Sequence, residues 1–133
     1  MNSDDHKRIV ASFFAAGNRG DMDTCLGLLA DDIRWTNIGS TRFSGTFVGK
    51  QSVLEDLLGP LFGRLREGIA TELENLIAEG DHVVALSRGT AETVDGKPYN
   101  NRYCQVMRLR NGRIVAVTEY MDTALVDETF GQP

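Results

Sequence analysis

The sequence predicts an α+β domain in which helices pack on one face of an antiparallel sheet. Three observations carry this expectation. Apolar residues recur at helical spacing in the N-terminal half, and the period changes to that of strands from Ile69 onward. The pairs Gly80-Asp81, Asp95-Gly96 and Asn111-Gly112 then punctuate the C-terminal half at hairpin intervals. At 133 residues, 41% hydrophobic and 25% charged, the chain has the length and composition of a single domain with an ordinary core.

From Asp4 to Gly17, residues Ile9, Val10, Phe13, Phe14 and Ala16 share one side of a helix, with Asp4 and Asp5 at its positive end. Gly17 and Gly20 bracket a break, and Asp21 is the N-cap of a second helix to about Ala30, with Met22, Cys25, Leu26 and Leu29 inward. Ile33 to Ile38 reads as a short strand with Ile33, Trp35 and Asn37 on one face. A glycine-rich loop follows, and its Phe43 and Phe47 suit either plain turns or a lid over a cavity. Lys50 to Leu65 is helical by pattern, kinked or divided at Gly59-Pro60.

The remainder reads as a four-stranded meander: Ala70 to Glu79, His82 to Val94, Asn101 to Arg110 and Arg113 to Thr123. Asn-Gly accepts positive φ at both central positions of a type I′ turn, and a two-residue loop sets the register of the last hairpin. Leu109 then faces Ile114, Met107 faces Ala116, Gln105 faces Thr118, Tyr103 faces Tyr120 and Asn101 faces Asp122. An even-length connection at Asp95-Gly96 adds Leu86, Arg88 and Thr90 to that same face, whereas an odd one turns the preceding strand over. The face is apolar near the turn and polar at its far end, as expected of a pocket with a greasy floor and a polar working end. The expected lining is Leu86, Thr90, Asn101, Gln105, Met107 and Thr118, with Trp35 as core or ligand platform and Asn37 beside it.

Asp122 reads in two ways. As an inward carboxylate among aromatic side chains, it has the partial burial that lifts a pKa toward the range of a general base. Otherwise it caps the strand end or pairs with an arginine. Arg88, Tyr103 and Tyr120 form a donor set for an oxygen that gains charge, such as an enolate; equally, Arg88 and Glu92 form a structural ion pair and the tyrosines are core. His6 and His82 have no metal partner at suitable spacing, and no Ser nucleophile motif, phosphate loop or dinucleotide fingerprint occurs. The expected chemistry is acid and base work with no cofactor and no metal.

Net charge is −5 and the basic residues are scattered, which argues against a nucleic-acid partner. No apolar run approaches a membrane span, and the start of the chain lacks a signal peptide's apolar segment, so a cytoplasmic protein without membrane association is expected. Cys25 and Cys104 read as two reduced thiols.

The order of elements resembles the nuclear transport factor 2-like superfamily. Within it, Ala78-Glu79-Gly80-Asp81-His82-Val83-Val84 and Glu119-Tyr120-Met121-Asp122-Thr123 resemble the SnoaL-like group, which contains polyketide cyclases and relatives of ketosteroid isomerase. The resemblance implies a curved, mostly antiparallel sheet, cone-shaped, with three N-terminal helices packed around a central pocket. It also implies that Asp122 stands at the acid/base position of the last strand. The epoxide hydrolase branch implies a role for Asp122, Arg88 and Asn37, but Thr90 and Trp35 stand where that branch has a second Asp and a Tyr. Two functions are carried forward: a cofactor-independent isomerase, cyclase or lyase for a small hydrophobic carbonyl compound, and a non-catalytic ligand-binding or dimerisation domain. The resemblance further implies homodimers through the convex sheet face, and the row Val106, Val115, Val117 and Met121 is the apolar surface expected there.

Overall fold

In the computed structural model, which describes residues 1–133, the helical periodicity at the N-terminus becomes α1 (Ser3–Asn18) and α2 (Met22–Gly27). Both starts are capped by side chains. The Asn2 side chain accepts from Asp5 N while Asp5 reaches back to Asn2 N, and Asp21 accepts from Thr24 N. Strands β1 (Leu29–Asn37) and β2 (Gly45–Val48) follow as an antiparallel pair. The next helical run begins as α3 (Lys50–Ser52), widens to π geometry over Val53–Leu58, and resumes at Gly59-Pro60 as α4 (Gly59–Phe62). Proline at the start of a helical segment loses no hydrogen bond, which is why the division falls there.

The meander is β3 (Ala70–Glu79), β4 (His82–Thr90), β5 (Arg102–Arg110) and β6 (Arg113–Met121), and a final helix, α5 (Thr123–Phe130), closes the chain. The six strands form one open sheet in the order β2-β1-β6-β5-β4-β3, with β1 parallel to β6. Helix α5 was not expected. Its signal is a capping Asp122 ahead of Val126, Thr129 and Phe130, the three residues of α5 that are buried.

Two register differences reassign the faces of the meander. Asn111 (φ 53°) and Gly112 (φ 77°) make the expected turn, and Leu109 pairs with Ile114. An extra residue in β6 then brings Ala116, not Val115, opposite Arg108, so that Val117 faces Met107 and Glu119 faces Gln105. Beyond this bulge Val117, Glu119 and Met121 turn inward, and Ala116, Thr118 and Tyr120 turn outward. The connection after β4 is of odd length: Gly96 N donates to Thr93 O at 2.9 Å and Thr93 N to Lys97 O at 2.8 Å, leaving three residues in the loop. Gly96, at φ 88°, takes the left-handed position that such a loop requires. Val83, Ala85 and Ser87 consequently face inward, and Val84, Leu86 and Arg88 outward.

The main core lies between α1, the π-helical turn and the inner sheet face, and includes Val10, Ile33, Trp35, Val53, Leu57, Val83, Met107 and Val117. A second cluster of Leu65, Tyr99, Val126 and Phe130 docks α5 against the opposite end of the sheet. No helix is long and apolar enough to cross a membrane.

Candidate functional site

Between the helices and the inner sheet face lies a cavity of about 700 Å³. Its apolar wall includes Phe13, Phe14, Leu26, Trp35, Phe43, Leu57 and Leu61, and its rim includes Arg19, Gly20, Glu67 and Gly68. The polar end is supplied by four strands and the segment leading into β5: Asn37 of β1, Ser87 of β4, Tyr99, Tyr103 and Gln105 on or before β5, and Glu119 of β6.

Glu119 is the one carboxylate projecting from β6 into this end. The Gln105 Nε2 amide, directly across the strands, donates a hydrogen bond to Glu119 Oε1. No cation pairs with it. Its remaining access is to the cavity, and burial pushes its pKa from 4.5 up to about 7, against a smaller downward pull from Gln105. A carboxyl poised there exchanges a proton readily near neutrality.

The tyrosines are held from the other side. Asn101, 1% exposed, donates through Nδ2 to the Tyr99 hydroxyl at 3.2 Å and to Asp122 O at 3.1 Å, while its Oδ1 accepts from Asp122 N at 3.1 Å. Burial raises both Tyr99 and Tyr103 above the usual phenol range, so both hydroxyls keep their protons. Trp35 Nε1 donates to Asn37 Oδ1 at 3.0 Å, and Asn37 Nδ2 to Phe43 O at 3.0 Å, which fixes the wall beside them. Gly89 makes room for Tyr103: a Cβ there would fall 2.8 Å from Ile69 Cγ2 and 2.9 Å from Tyr103 Cε2. Gly89→Ala is therefore expected to push the Tyr103 ring out of place at a cost of about 1–3 kcal/mol, read as a lowered denaturation midpoint.

The cavity brings together Trp35, Asn37, Tyr103 and Gln105 from the expected set. Met107 is fully buried beneath it, and Asn101 acts through Tyr99. The other expectations are corrected. Arg88 lies on the outer face, where its Nε donates to Glu74 Oε2 at 3.2 Å, because the odd loop turned β4 over. Leu86 and Thr90 move outward with it. Tyr120 is 47% exposed on the outer face and Thr118 lies beside it, because of the bulge in β6. Asp122 does not line the cavity: its Oδ1 accepts from Leu125 N at 3.2 Å as the N-cap of α5. Asp122→Ala should accordingly cost about 1 kcal/mol in urea denaturation, the usual loss of a cap.

Glu119, Tyr99 and Ser87 were missed. The bulge that selects Glu119 lies in Ile114-Val115-Ala116-Val117, an unbroken apolar run with no alternation to mark its phase.

The model of the SnoaL-like domain family matches residues 10–117. No curated protein matches the chain. Among solved structures, a nuclear transport factor 2-like protein from Burkholderia thailandensis is 27% identical, with 100% of both chains covered and a TM-score of 0.85. A protein from a soil-derived mobile gene cassette is 26% identical over 96% of this chain and 98% of its own, with a TM-score of 0.87. TerC, co-crystallised with polyporic acid, has the same fold at 19% identity, covering 94% of this chain and 97% of its own with a TM-score of 0.82.

Proposed function

Because this chain belongs to the SnoaL-like domain family, we propose that it is a cofactor-independent acid/base enzyme, an isomerase, cyclase or related lyase, acting on a small hydrophobic carbonyl compound bound in the cavity. The observation that carries the reading is Glu119, a half-buried carboxyl without a cationic partner that lines an apolar chamber, with its pKa raised to about 7 by the loss of water around it. Glu119, and not Asp122, is the proton carrier in this reading.

The ionised Glu119 removes a proton from the carbon next to the substrate carbonyl. Electron density moves onto the carbonyl oxygen, and a Tyr99 or Tyr103 hydroxyl donates a hydrogen bond to it. Gln105 holds the carboxylate in place, and the protonated Glu119 returns its proton to a carbon or oxygen of the same ligand. Return to a carbon of the enolate completes an isomerisation; where the enolate carbon has first bonded to a second carbonyl carbon of the same ligand, return to the alkoxide oxygen so formed completes a ring closure. The apolar wall excludes water from the enolate. The test is exchange of α-protons for deuterium across a panel of hydrophobic ketones and lactones, followed by NMR with the wild-type protein. Retention of the α-protons in every compound that binds would leave the ligand-binding alternative in its place.

The partner in this reading is a second copy of the chain, joined through the outer sheet face. The apolar row there is redrawn, since Val117 and Met121 face inward. Cross-strand neighbours Ile77, Val84 and Val106 form its centre, with Leu86 and Tyr120 on the adjoining row. Ile77 is 53% exposed and lies in register with Val84 and Val106, so the row presents contiguous apolar surface. Val106→Lys is expected to convert a dimer to a monomer in light scattering without loss of fold.

A further inference from the structure

The hydrogen-bonding inventory at the polar end is unbalanced. Each amide or ring donor is already committed within the protein: Gln105 Nε2 to Glu119, Trp35 Nε1 to Asn37, Asn37 Nδ2 to the Phe43 carbonyl, and Asn101 Nδ2 to Tyr99 and Asp122. Two buried side-chain atoms of cavity-lining residues have no protein partner, Gln105 Oε1 and Ser87 Oγ. Their residues are 6% and 2% exposed, respectively. Buried polar atoms are nearly always satisfied, and one left without a partner carries a desolvation cost.

The two residues are diagonal neighbours on the inner face of β4 and β5. Ser87 stands directly opposite Tyr103, and Gln105 lies two residues along the same face of β5. Gln105 Oε1 only accepts, whereas Ser87 Oγ both donates and accepts. One group satisfies both at once: a hydroxyl that donates to Gln105 Oε1 and accepts from the Ser87 hydroxyl. We propose that the cavity binds an apolar ligand bearing a neutral hydroxyl group, seated between Ser87 Oγ and Gln105 Oε1. This names the substrate class of the site described above and rests on that reading only for the identity of the cavity. A substrate for the enzyme would then carry a hydroxyl in addition to its reacting carbonyl. An ether oxygen fits poorly because it has no proton for Gln105. An ammonium group fits poorly because it has no lone pair to accept the Ser87 hydroxyl proton, and a charge brought into an apolar chamber costs far more than a hydroxyl.

The test uses probes without a carbonyl, so that its outcome is independent of turnover. Naphthol, naphthalene, methoxynaphthalene and naphthylmethylammonium are titrated by fluorescence into the wild type and into Ser87→Ala and Gln105→Leu. Naphthol should bind the wild type at least tenfold more tightly than the other three. Each variant should lose most of that preference, while naphthalene affinity changes less than twofold in Ser87→Ala. Equal binding of naphthol and naphthalene, tighter binding of the ammonium or ether probe, a preference for naphthol that survives both variants, or no binding of any probe would overturn the proposal. A naphthol preference in a protein that exchanges no ketone protons would remove the enzymatic reading and leave this one standing.

Discussion

Glu119→Gln is expected to lower α-proton exchange on any ketone the wild type turns over by about 10²–10⁴-fold, the usual contribution of a positioned acid or base. Gln keeps the size of the side chain and its reach toward Gln105, so ligand affinity should change little and the loss should fall on kcat. The wild-type rate should rise with pH through about 7, because the ionised form is the base and burial places its pKa there. Undiminished exchange in Glu119→Gln would remove this residue from the chemistry.

The same substitution carries a stability signature of defined sign. Glu119 titrates near 4.5 when unfolded and at about 7 when folded, so the folded state holds more protons between those values. Stability therefore falls as pH rises from about 4.5 to about 7 and levels off above. The full penalty is at most about 3 kcal/mol by the conversion of a pKa difference into free energy, less whatever the cavity's access to water relieves. Glu119→Gln should lack this slope and be the more stable protein at pH 8 in urea titrations. A wild type whose stability climbs over that interval would contradict the buried, cation-free environment.

The largest loss of stability is expected at Asn101, where Asn101→Ala should cost roughly 3–5 kcal/mol, more than a single hydrogen bond is worth. Its side chain donates to Tyr99 and to Asp122 O, and accepts from Asp122 N and, at 2.8 Å, from Arg102 N. Truncation leaves buried backbone groups of the β6–α5 junction without partners and removes the support of Tyr99. Tyr99 in turn packs edge-on against Phe130 of α5, with ring centroids 4.8 Å apart. The expected failure is loosening of α5, read as faster amide exchange over Thr123–Phe130 together with a lower urea midpoint. A loss below about 1 kcal/mol with unchanged exchange would show that water replaces the side chain without strain.

The sequence alone was enough for the helical character of the N-terminal half and for the four strands of the meander, because those follow from local periodicity and local chemistry. Strand β2, helix α5 and the parallel pairing of β1 with β6 were not legible in it. Asp21 caps α2, Pro60 opens α4 and Asn111-Gly112 makes its turn for reasons contained within a few residues. The inward faces of β1 and β5 were legible too, since Ile33, Trp35 and Asn37, or Tyr103, Gln105 and Met107, alternate cleanly. The identity of the working carboxylate was decided by tertiary structure. One extra residue in β6 exchanges Glu119 for Thr118 and Tyr120, and one odd loop exchanges Ser87 for Arg88. A strand has period two, so a shift of one residue reverses every side chain beyond it. The run Ile114-Val115-Ala116-Val117 tolerates either phase by composition. What selects the phase is long-range: Val117 must fill the core between its cross-strand neighbours Trp35 and Met107, and Asp122 must cap α5 so that Val126 and Phe130 can cover Leu65 and Tyr99. Those contacts join residues far apart in the chain, and only the folded structure brings them together.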